Sequence, residues 1–321
     1  VRSAVRTALT TLGAVGAVGV AAGVWGVGIE RYLFTVRRHE LAILPAGSPS
    51  VTVLHLSDAH MAPWQHRKQQ WIADLSEKVQ PDLVINTGDN LGHEDGIRGI
   101  RAAFGPLRGV PGFFVHGSND KVAPGKRNPF KYFSGPSDHP VYAPALDTDA
   151  LDAYLTDLGQ TLIDNTAASV RVGGLRIDAL GVDDAHREWD DLDAALTAFQ
   201  ALPEGEGPRV RLGVTHAPYR RVLDAFTDAG ANLLVAGHTH GGQVRVPFAK
   251  KALVANCDIP LDQARGRSLW THDSRTIPLN VSAGLGHSIY APVRFGCRPE
   301  ASVLVLRARS AADSPERQSA G

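Results

Sequence analysis

Four short segments of this 321-residue chain concentrate the residue types that hold metal ions. Gly237-His238-Thr239-His240-Gly241-Gly242 follows the apolar run Leu233-Leu234-Val235-Ala236, so a His-x-His pair delivers two imidazoles to one point. Three earlier apolar runs end in turns of similar chemistry: Ser57-Asp58-Ala59-His60, Gly88-Asp89-Asn90 and Gly117-Ser118-Asn119-Asp120. Asp58 and Asp89 are 31 positions apart, and Asp89 and Asn119 are 30 apart. That spacing suits parallel strands joined by crossover helices, which need roughly 30 residues per unit. A further apolar run, 210–214, leads into Thr215-His216-Ala217-Pro218.

The elements that must position these residues are legible in outline. Trp71, Ile72, Leu75 and Val79 share one helical face over 69–79, and Pro81-Asp82 ends the run. A helix over 97–107 is weakened by Gly99 and Gly105, and another covers 219–229. Alternating runs over 168–172 and 175–180, joined by Gly173-Gly174, read as a hairpin that starts a second sheet. In an open α/β sheet, ligands collect beyond the carboxyl ends of the strands. Asp58, His60, Asp89, Asn119, His216, His238 and His240 therefore converge there. That is too many donors for one tetrahedral ion, but it divides well between two divalent ions sharing a carboxylate. Mixed His and Asp ligation suits Mn, Fe or Zn better than Ca.

In these five motifs the chain resembles the calcineurin-like metallophosphoesterases over roughly 51–308: Asp-x-His, Gly-Asp, Gly-Asn-His-Asp/Glu, a His after a strand, and Gly-His-x-His. Gly241-Gly242-Gln243 and the run Tyr290-Ala291-Pro292-Val293-Arg294-Phe295 look most like the membrane-associated bacterial branch of YkuE- and YaeI-type phosphodiesterases. The resemblance implies an α/β/β/α fold, two sheets packed as a sandwich and flanked by helices. It also implies that Asp58, His60 and His240 hold one metal, that Asn119, His216 and His238 hold the other, and that Asp89 bridges them. Two dications would generate hydroxide near neutral pH for in-line attack on a phosphate ester or diester, and would neutralise the charge that builds on the phosphoryl oxygens.

The chain departs from the family at one place, where Gly117-Ser118-Asn119-Asp120 lacks the family's histidine, a residue thought to stabilise or protonate the leaving group. Either Asn119 remains the metal-binding amide and Asp120 stands in the histidine's place, or Ser118 takes the amide's place and Asn119 the histidine's. Asp120, His93 and His116 are the candidate proton donors, and Arg294 is a candidate phosphate contact. Activated esters need less acid catalysis than poor leaving groups, so their hydrolysis could survive the loss.

No phosphate loop and no Gly-x-Ser-x-Gly elbow occurs, which argues against nucleotide-driven and acyl-transfer chemistry. With 33 basic and 33 acidic residues the chain carries no global field for nucleic acid, so a nuclease is a minor reading. A non-catalytic metal-binding sensor or scaffold is the alternative to an enzyme, motivated by the altered 117–120 turn.

The expected organisation is an N-terminal transmembrane anchor or signal sequence over 1–30, a linker over 31–50, the metallophosphoesterase domain over 51–308 and a disordered tail over 309–321. The 23 uncharged residues 7–29 would run about 34 Å as a helix, enough to span a bilayer. A cleaved signal peptide competes with a single-pass anchor, and flanking arginines nearly cancel, so the side of the membrane stays open. Cys257 and Cys297 could pair or remain free thiols. The tether and the related branch together suggest a lipid-linked or nucleotide-sugar phosphate ester as substrate. The loop 121–139, with Lys126-Arg127-Asn128, is expected to border the site.

Overall fold

The computed structural model describes residues 2–124, 144–249, 251–287 and 291–310. The expected loop from residue 125 onward, Tyr290, and the expected tail from residue 311 lie outside them.

The strands β1 (Thr35–Leu44), β2 (Val51–Leu56), β3 (Leu83–Asn86), β4 (Gly112–Phe114), β5 (Gln160–Leu162) and β12 (Glu300–Ala308) form one sheet in the order β1-β12-β2-β3-β4-β5. A second sheet runs β10 (Gly266–His272), β11 (Arg275–Val281), β9 (Leu233–Ala236), β8 (Arg209–Thr215), β7 (Leu175–Val182) and β6 (Thr166–Val172). Within the first, β2 to β5 are parallel; within the second, β7, β8, β9 and β11 are parallel. Each parallel set sends its carboxyl ends to one edge.

The strands read as continuous apolar runs because both of their faces are covered. Val53, Ile85 and Phe113 meet Ile177, Leu212 and Val235 between the sheets. Their neighbours Leu54, Val84 and Phe114 point the other way, onto α2 (His66–Val79), α3 (Gly96–Phe104) and α4 (Thr148–Leu158) through Ile72, Leu75, Ile100, Phe104 and Leu155. On the far side, Leu180 and Leu234 pack against Phe199 of α5 (Leu192–Gln200) and Val222, Leu223 and Phe226 of α6 (Arg220–Asp228). The result is a sandwich of two mixed sheets flanked by helices.

The structure corrects the expected linker. β1 pairs parallel with β12 from Thr35 against Glu300 to Leu44 against Ala308, and its Leu41, Ile43 and Leu44 are core residues. It is an edge strand whose first half leaves Val36, Arg38 and Glu40 exposed between the partly buried Arg37 and His39, and the apolar signal is confined to its end.

Upstream, α1 (Arg2–Val24) continues as one π-helical turn over Trp25–Ile29. Val18, Val20 and Val24 are exposed on it. Among the described residues, no helix is long and apolar enough to cross a membrane. The side chains at 2–5, 7–9, 12 and 15 of this helix lie outside the described ones.

Candidate metal centre

Three turns from the first sheet and two from the second bring the predicted residues to one edge. Asp58 and His60 follow β2, Asp89 follows β3, Asn119 follows β4, His216 follows β8, and His238 and His240 follow β9. Backbone bonds lash these turns together: Asp58 N–H donates to Gly88 O (2.8 Å), His60 N–H to Asp89 O (2.9 Å) and Gly237 N–H to His216 O (2.9 Å). Glycine allows the close approach. A Cβ on Gly88, which has φ +83°, would lie 2.3 Å from Gly117 N and 2.6 Å from His116 C, both backbone atoms. Gly88→Ala should therefore destabilise the fold by roughly 3 kcal/mol or more, read as a fall in the urea midpoint; an unchanged midpoint would show that the two turns can separate freely.

Asp58, His60, Asp89, His238 and His240 all have left-handed backbones, with φ of +49°, +39°, +53°, +66° and +48°. Such dihedrals are uncommon outside glycine and aim each side chain back across the strand ends.

The ligand atoms converge in two overlapping groups. Those of Asp58, His60 and His240 lie within 4.8 Å of one another, as do those of Asp58, Asp89 and His216. Asp89 Oδ2 sits between two imidazoles, 3.4 Å from His60 Nε2 and 3.6 Å from His216 Nε2. His60 Nε2 faces His240 Nε2 at 3.1 Å, and His238 Nδ1 faces His216 Nε2 at 3.3 Å. His216 is oriented by its Nδ1–H, which donates to Thr87 O at 2.7 Å. Asn119 donates its backbone N–H (2.7 Å) and its amide Nδ2 (2.9 Å) to the Asp89 carboxylate.

The electrostatics suit cations. Burial holds the His60 imidazole down at about 4 and pushes His238 and His240 well below their ordinary range, so these rings are neutral and offer lone pairs. Burial also opposes charge on His216, but the carboxylates of Asp89, Asp184 and Asp58 outweigh it and raise that ring to about 9. Burial raises the Asp58 carboxyl to about 6, while its Oδ1 is a buried atom with no hydrogen-bond partner. Paired imidazole nitrogens facing each other beside an unpartnered carboxylate oxygen fit divalent ions, which would satisfy all of them at once.

The proton-donor candidates fare differently. The Asp120 carboxylate accepts N–H bonds from Gly117 (3.0 Å), Asp89 (2.8 Å) and Asn90 (2.7 Å), so it ties the β4 turn to the β3 turn. His116 has both ring nitrogens engaged, by Asp164 Oδ2 and Asp152 Oδ1, each at 2.7 Å. Both are structural, which corrects the expectation that they donate protons. His93 stays partly exposed, takes the Asp95 N–H on Nδ1 and lies edge-on to Trp64.

Arg294 is also corrected. It is fully buried, and its guanidinium donates to the carbonyls of His240, Ala283, Gly284 and Gly286, so it cannot reach an incoming phosphate. Sequence reasoning missed Asp184 and His186, which follow β7. Asp184 is buried with Oδ2 unpartnered, and the His186 ring packs 4.5 Å from that of His238. The strand-end rule applied to β7 would have found them. Cys257 and Cys297 are both free thiols.

A sequence profile of the calcineurin-like phosphoesterases matches residues 51–242, and the chain belongs to that family. It is accordingly a metal-dependent phosphoester hydrolase. Two relatives extend the likeness beyond the profile. The "Uncharacterized metallophosphoesterase YkuE" of Bacillus subtilis (strain 168) is 24% identical over 307 residues, 92% of this chain and 94% of the relative. "Phosphodiesterase YaeI" of Escherichia coli (strain K12) is 25% identical over 282 residues, 85% and 88% of the two chains. A longer relative, the Bos taurus "Transmembrane protein with metallophosphoesterase domain", is 25% identical over 268 residues, 83% of this chain and 55% of its own.

Proposed function

We propose that the chain hydrolyses a phosphate ester or diester at a pair of divalent ions, Asp58, His60 and His240 holding one, Asn119, His216 and His238 the other, and Asp89 both. The observation that carries this reading is the position of Asp89 Oδ2 between His60 Nε2 and His216 Nε2. Ions bound there supply an activated water and Lewis-acid polarisation of the phosphoryl group. The chain's own residues fix where this happens: Asn119 orients the Asp89 carboxylate, Thr87 O sets the His216 ring, and Ser57 and the His238 N–H hold Asp58 Oδ2. With Asp120 and His116 engaged elsewhere, His93 is the remaining candidate to protonate a leaving group.

Attachment to a membrane through α1 is part of the same proposal, and a lipid-linked phosphate ester is its natural substrate. The uncharged stretch 7–29, the exposed Val18, Val20 and Val24, and a relative named as a transmembrane protein support it.

Turnover of bis(p-nitrophenyl) phosphate tests the reading. Mn²⁺ should restore activity to chelator-stripped protein, with two ions taken up per chain. Uptake of two ions without turnover would favour the scaffold alternative, and DNA or RNA cut faster than small diesters would favour a nuclease.

A further inference from the structure

The segment between α1 and β1 is built into the wall of the metal centre. Glu30 is 5% exposed although it is a carboxylate on a short connecting turn. Its Oε2 accepts the Trp25 Nε1–H at 2.7 Å and the Gly296 N–H at 3.0 Å, and its Oε1 accepts the Cys297 N–H at 2.8 Å. Four residues earlier, Gly26 O accepts the Arg294 N–H at 3.1 Å. A Cβ on Gly26 would already stand 3.0 Å from Arg294 O and from Val293 Cγ2.

The turn gripped in this way holds one metal ligand from behind. Arg294 Nη1 donates to His240 O at 3.0 Å, and Nη2 lies 3.2 Å from His240 Nδ1. Cys297 Sγ lies 3.3 Å from the same His240 carbonyl. The other side of the turn is secured by Phe295, whose N–H donates to Gln243 O and whose carbonyl accepts the Arg245 N–H. The orientation of His240 is therefore set by two supports, one from its own loop and one from the foot of α1.

We propose that Glu30 is a positioning residue for His240, acting through the 294–297 turn, so that the helix foot tunes the affinity of the metal that His240 holds. This rests on the two-metal reading. Groups behind a metal ligand typically change affinity about 10–100-fold when removed.

The test is Mn²⁺ titration of the full chain by calorimetry, for wild type, Glu30→Ala, His240→Ala and the double variant. Glu30→Ala should weaken one of two sites about tenfold or more and leave the other within about twofold. The loss should vanish in the His240→Ala background, because two changes acting through one ligand are not additive. Equal weakening of both sites, no weakening, or an effect that persists without His240 would overturn the proposal. Should Glu30→Ala not fold, Gly26→Ala perturbs the same grip without touching charge, and unaltered Mn²⁺ binding there would overturn it equally. A wild-type chain that takes up fewer than two ions sinks the two-metal reading itself, whereas two ions bound with Glu30 silent sinks only this inference.

Discussion

Asp89→Ala should lower kcat/KM by at least about a thousandfold, well beyond the roughly 10–100-fold typical of residues behind a metal ligand. Its carboxylate is the hub of the site: Oδ2 stands between His60 Nε2 and His216 Nε2, and both oxygens take bonds from Asn119. Removing it would take a donor from each of the two proposed ion positions and would leave His216 without its principal countercharge. The measurement is kcat/KM on an activated diester with excess Mn²⁺, alongside metal content after gel filtration. A variant that keeps two ions and most of its activity would show that Asp89 does not bridge.

His116→Gln should cost about 3–5 kcal/mol of stability, the range for breaking one side of a buried ion pair. His116 is 2% exposed, and its ring is clasped by Asp164 and Asp152. Burial opposes its charge, but those carboxylates win and raise the imidazole to about 10. A folded-state value above the ordinary 6.5 stabilises the fold fully below pH 6.5, and that contribution is lost as pH rises through about 10. The gap between wild type and variant in urea unfolding should accordingly be largest near pH 6 and shrink toward pH 10. A gap that ignores pH would mean that the ring is neutral in the folded protein.

The site was more legible in the sequence than its surroundings, and the reason is local. Strands such as 233–236 are short, wholly apolar and followed at once by Gly-His-x-His, so one segment announces both element and chemistry. The crossover helix predicted over 69–79 is found over His66–Val79, because Ile72 and Leu75 mark its buried face. β1 was hidden because its partner β12 is more than 250 residues away and its outer face is charged; only tertiary pairing makes it a strand. Arg294 misled for a similar reason. An arginine near a glycine-rich segment suggests an anion, and nothing in the sequence shows that its guanidinium is consumed by carbonyls behind His240. Glu30 gives little signal, since beside the nearby Trp25 indole its partners are backbone N–H groups 266 and 267 positions away.

The left-handed backbones of Asp58, His60, Asp89, His238 and His240 bear on how the centre could come and go. Asp and His enter that conformation more readily than most side-chain-bearing residues but less readily than glycine, so each of the five depends on the contacts around its turn. They are kept only by the lashings between turns of both sheets. A turn that came loose would let its residue return to a right-handed or extended backbone and draw its donor away from the others. Metal bound by the finished centre would therefore add to the free energy of folding rather than act on a local pocket alone. Metal occupancy in this chain becomes a gauge of whether both sheets are folded.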